Sequence, residues 1–148
     1  MKKSFRIVYL VVSWLFVVGV LAEVFLAGMV VVARQMGWDW HVNLGHALSL
    51  PLLLMILSAY LGRLPSAMKW MTWSLFGVYF VQADVIIFMY DSLPLVSAFH
   101  PVLALVDFAL GLTLALRAWS LIRRREETTE DLSLANRQRL IEMRRLAQ

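Results

Sequence analysis

With 148 residues, 61% of them hydrophobic and 16% charged, and a mean hydropathy of +0.72, the chain excludes a water-soluble globular domain, because its apolar residues come in runs of span length. There is no cysteine, so disulfides, thiolate metal sites and quinone-linked thiol oxidoreductases are ruled out by inventory. The net charge of +4 is a topology signal and no nucleic-acid footprint, since the basic residues gather at the ends of the apolar runs.

A chain of this size holds about four helices of roughly 20 residues, the length that crosses ~30 Å of hydrocarbon, and little else. The first apolar run covers 7–33. It is too long for a cleaved leader and lacks an Ala-x-Ala exit, so it reads as a signal anchor. A second run, 40–61, carries Pro51, whose missing N–H frees a backbone carbonyl and predicts a kink near Ala47. Gly62-Arg63-Leu64-Pro65-Ser66 is a turn of helix-ending and helix-starting residues, and its shortness makes the second run and a third, 68–90, antiparallel neighbours. Asp91-Ser92-Leu93-Pro94 closes the third run, and Ser92 can cap a fourth that continues to about 122 with Pro101 near its start. The composition then turns acidic at Glu126-Glu127-Thr128-Thr129-Glu130-Asp131. Leu132, Ala135, Leu140, Met143 and Leu146 follow near one stripe among arginines, which predicts a short cytoplasmic amphipathic helix that either lies along the membrane surface or docks a partner. The expected architecture is all-α: a four-helix transmembrane bundle over 1–125 and a cytoplasmic amphipathic tail over 126–148.

Orientation follows from the bias of lysine and arginine toward the cytoplasm. Lys2, Lys3 and Arg6 precede the first run, Arg63 and Lys69 flank the central turn, and Arg123, Arg124 and Arg125 follow the fourth, whereas the two remaining loops hold only Arg34. Both termini are therefore expected in the cytoplasm. Trp38 and Trp40 then mark the outer interface, and Trp70, Trp73 and Trp119 the inner one.

Ionisable residues within the runs are the functional lead, because a charge in hydrocarbon costs several kcal/mol and persists facing the interior with a partner. Glu23, His46, Asp84, His100 and Asp107 fall in the outer half, and Asn43 shares a face with His46. These residues are expected to form a buried polar cluster, with His41 solvated at the interface and Gln82 turned away toward lipid or a neighbouring chain. His46 and His100 sit at matched depth on different helices, which suits axial ligation of a b-type haem. Gly45 would leave room for the porphyrin, and Arg34, with His41, Trp38 and Trp40, could meet the propionates. The same two histidines with the carboxylates could instead hold a zinc or iron ion, although no Glu-x-x-His or His-x-x-x-His spacing occurs. A proton or quinone pathway through Glu23, Asp84 and Asp107 is a third use of these groups.

The segments Ala22-Glu23-Val24-Phe25-Leu26-Ala27-Gly28, Asn43-Leu44-Gly45-His46, Gly62-Arg63-Leu64-Pro65 and His100-Pro101-Val102-Leu103-Ala104-Leu105 resemble a family of small bacterial four-helix membrane proteins of unknown function. The resemblance covers about 5–122, and that family often carries glutamine where this chain has Glu23. The layout is also distantly similar to the haem-binding bundles of cytochrome b561 and haem A synthase, whose fuller histidine sets are missing here; that likeness implies one haem at most. Two functions are expected from this reading. One is b-type haem binding with electron transfer; the other is a non-catalytic subunit of a larger membrane complex or homo-oligomer, with its histidines in a structural polar cluster.

Overall fold

The computed structural model describes residues 2–89 and 92–146, and it is helical throughout, with no strand among the described residues. The elements are α1 (Lys2–Val31), α2 (Asp39–Ala47), α3 (Ser49–Leu61), α4 (Ser66–Phe80), a π-helical turn (Val81–Val85), α5 (Ile86–Phe88), α6 (Pro94–Ser97) and α7 (His100–Leu146). Three stretches are long and apolar enough to cross a membrane: Lys2–Val31, Asp39–Leu61 and Leu95–Arg124. The expected third run is helical from 66 to 88 but changes pitch at the π turn. Its expected end at Tyr90, and the turn residue Asp91, lie outside the described residues.

α1 is the centre of the packing, lying on α3 and on α7, while α4 closes against α7 and α3. The core is one apolar cluster in which Phe16 of α1, Leu52 and Met55 of α3, Leu75 of α4 and Leu114 of α7 are fully enclosed. Gly111 permits the approach of α7 to α1: a Cβ there would sit 3.1 Å from Phe16 Cδ1 and 3.4 Å from Val17 Cγ2. Small residues let backbones approach where hydrocarbon surrounds the helices and no hydrophobic effect drives them together.

The side of the bundle holding the α3–α4 turn is fastened by hydrogen bonds. Leu64 N–H bonds Ala59 O at 3.0 Å and Arg63 N–H bonds Tyr60 O at 3.0 Å, which is a Schellman ending of α3. The left-handed residue is Arg63, at φ 49°, and not the glycine beside it. Gly62 is required for another reason, since a Cβ would lie 2.8 Å from Ser58 O and 3.3 Å from Arg6 Cγ. Arg6, buried against this turn, donates from Nε to Gly62 O at 2.8 Å and from Nη2 to Arg63 O at 3.3 Å. A turn higher, Thr72 Oγ1 donates to Met68 O, so its contact of 2.7 Å with Tyr9 must be donated by the tyrosine hydroxyl.

The kink expected from Pro51 is present as the break between α2 and α3 at Leu48. The tail differs from expectation. It begins no new helix: α7 runs unbroken for 47 residues. No glycine or proline follows Gly111, and the Arg123–Glu127 pair, 3.3 Å apart and one turn along the helix, spans the point where apolar sequence becomes polar. Leu132, Leu134, Ile141 and Met143 are exposed along this extension; the side chains of Leu140 and Leu146, counted in the expected stripe, lie outside the description.

Candidate functional site

The buried side of α3 is a ladder of Leu48, Leu52, Met55 and Ala59, three or four residues apart. Continued backward at helical spacing, this ladder passes through Gly45 and Leu44 to His41, all partly buried. His46 is two residues from Leu48, and Asn43 five, so both leave the ladder and are exposed. Their expected inward orientation is corrected accordingly. On α4 the buried ladder is Met68, Thr72, Leu75 and Tyr79, and it leads on to the partly buried Gln82 and Ala83. Asp84, five residues after Tyr79, is exposed for the same geometric reason.

His41 is thus the imidazole that enters the site, and the expectation that it is solvated is also corrected. Its Nδ1 lies 2.5 Å from Glu23 Oε2 and 3.2 Å from Glu23 O, which ties α2 to α1. Its ring stands edge-on to that of His100, with centroids 6.0 Å apart, and Trp38 covers it at 5.4 Å. His100, the first residue of α7, donates from Nδ1 to the main-chain carbonyl of Gln82 at 3.3 Å. The π turn accounts for that acceptor. Ile86 N–H reaches back five residues to Val81 O, so Gln82 O loses its ordinary i+4 donor. Gln82 therefore faces this cluster with its backbone, contrary to the outward position expected.

Beneath this layer, the Tyr79 hydroxyl donates to Gly45 O, and its ring packs edge-on against Phe16 at 6.0 Å. Asp107 is buried, at 1% exposure, and neither of its oxygens has a hydrogen-bond partner among the described residues. Glu23 Oε1 and Gln82 Oε1 are likewise buried without a donor. Gly45 is partly buried beside Glu23, whose Oε1 would lie 4.0 Å from an added Cβ, and Arg34 is exposed in a left-handed turn at φ 54°. No group of three or more histidine, aspartate or glutamate residues converges as a metal site among the described residues.

Of the expected residues, the structure sets Glu23 and His100 each against His41 and puts Asp107 in the interior, while His46, Asn43, Asp84 and Arg34 lie on the surface. The members missed from sequence, His41, Tyr79 and Gln82, all sit on the extended core ladders. That periodicity was the available signal.

A chain that is all helix, with three helices fit to cross a bilayer and ionisable groups held between them, belongs to the helical membrane proteins. Within it, residues 23–86 match a family of unknown function (DUF6220). The match takes in Glu23, His41, Tyr79 and Gln82 but stops short of His100 and Asp107. No curated protein matches the chain, and no solved structure does.

Proposed function

We propose that the protein is a non-catalytic, accessory component of a larger membrane assembly or homo-oligomer in a bacterial inner membrane. It crosses the bilayer four times with both termini in the cytoplasm, and its outer-half polar cluster locks the helices in register. The observation that carries this reading is the 2.5 Å contact between Glu23 and His41, packed against a histidine from a third helix. Packed between helices at the outer rim of the bundle, such a contact specifies which helix faces which. The continuous helical path over 66–88 supports a fourth crossing, since 23 residues at 1.5 Å each exceed the ~30 Å of the apolar core. The basic residues at both ends and at the central turn support the orientation.

A haem between His46 and His100 is the less favoured reading, because axial ligands must face one iron from two sides. His46 lies on an exposed face, and His100 rests on His41. Two measurements test the choice. Protein made in haem-replete cells is expected to show no sharp b-type bands on reduction; bands that vanish in His46→Ala overturn the accessory reading. In a double-mutant cycle, Glu23→Ala and His41→Ala are expected to couple by roughly 0.5–3 kcal/mol in mixed-micelle unfolding. Additive effects would show that the pair locks nothing.

A further inference from the structure

The two histidines are arranged as ligands are. His100 Nδ1 faces a carbonyl, which only accepts, so its proton sits on Nδ1 and the neutral ring carries its lone pair on Nε2. His41 Nδ1 is held in the same way by Glu23 Oε2 at 2.5 Å and Glu23 O at 3.2 Å. Neither Nε2 has a hydrogen-bond partner among the described residues. Metal-bound histidines characteristically hand their second N–H to a carboxylate or a backbone carbonyl, which sets the tautomer and aims the ring. Here one ring has a carboxylate and the other a carbonyl.

Spacing agrees. An imidazole bound at about 2.0–2.1 Å has its ring centre roughly 3.2 Å from the ion, so two rings on one ion have centres roughly 5–6.4 Å apart. The observed separation is 6.0 Å, with ring planes 67° apart. Both rings sit near helix N-termini, whose positive ends disfavour a cation, and the Glu23 carboxylate against His41 offsets that charge.

We propose that His41 and His100 together bind one divalent transition-metal ion through their Nε2 atoms at the outer rim, with water completing an open coordination sphere. Neutral imidazole selects borderline ions such as Zn²⁺, Ni²⁺ or Cu²⁺ over Mg²⁺ or Ca²⁺. The site rests on the same Glu23–His41–His100 contact as the lock, and it adds a ligand to it.

The test uses full-length, tag-free protein in detergent, with Zn²⁺ titrated against a chromogenic chelator and Cu²⁺ followed by electron paramagnetic resonance. Asparagine is the informative replacement: its Nδ2–H stands where the ring Nδ1–H stood, while Nε2 is removed. The expected result is one ion per chain and nitrogen hyperfine structure from two imidazoles. His41→Asn and His100→Asn should each weaken binding at least tenfold. Glu23→Gln should weaken binding by roughly tenfold or more, as loss of an outer-shell partner does. His46→Asn should change nothing. Wild-type binding no tighter than that of the double asparagine variant, or loss of the site in His46→Asn, overturns the proposal. Coupling in the Glu23/His41 cycle without metal binding would leave the lock standing and remove the metal; binding without coupling would do the reverse.

Discussion

Asp107 is the residue whose presence the packing explains least. It is enclosed at 1% exposure with both oxygens unpartnered, and an unpaired buried polar group costs about 1–3 kcal/mol, more when charged. Asp107→Asn keeps the shape and removes the charge, so it should stabilise the protein by about 1 kcal/mol, read as a higher midpoint in mixed-micelle unfolding. A lower midpoint would mean that the carboxylate has a favourable partner. Whether an ionisable residue lies inside was legible from sequence for Glu23 and Asp107. Which histidine turns inward was not read correctly from depth alone. His41 and His46 are five residues apart, about 140° around a helix, so only one can face the core, and the Leu48-Leu52-Met55 ladder selects His41.

Among the elements, the end of α3 holds a residue in a conformation that suits glycine better. Arg63 sits at φ 49° within a Schellman ending, where a non-glycine residue costs roughly 1–2 kcal/mol. Arg63→Gly should therefore raise stability by about 1 kcal/mol in the same assay, since the main-chain carbonyl that Arg6 bonds is retained. At the opposite sign, Gly111→Leu forces a branched side chain against Phe16 and Val17 and should cost at least about 1–3 kcal/mol. The long helices were legible because run length reports hydrocarbon thickness, and the α2–α3 break because proline announces itself. The π turn at Val81–Val85 contains neither glycine nor proline, and no residue type marks it. The continuity of α7 was obscured by a composition change that alters solvent preference without interrupting the backbone.

For the whole molecule, the proposed four crossings with cytoplasmic ends predict that a reporter fused after Gln148 is cytoplasmic. A fluorescent reporter fused there should mature, and a periplasm-dependent phosphatase at the same position should stay inactive. The length of α7 makes a second demand. Spin labels at Ser120→Cys and Gln138→Cys, convenient in a chain without native cysteine, are eighteen residues apart and should read about 27 Å along one straight helix. A markedly shorter or broad distance distribution would mean that the segment folds back onto the membrane as a separate element.

The π turn carries a consequence for ancestry. A turn closed by five-residue hydrogen bonds accommodates one residue more than an α-helical turn of the same role. A descendant or ancestor one residue shorter between 81 and 85 would close it, return Gln82 O to its ordinary donor and leave His100 without its acceptor. Chains akin to this one are therefore best sorted by an insertion rather than a substitution. Those lacking the extra residue would be expected to lack the second histidine's role as well, whatever amino acid stands at that position.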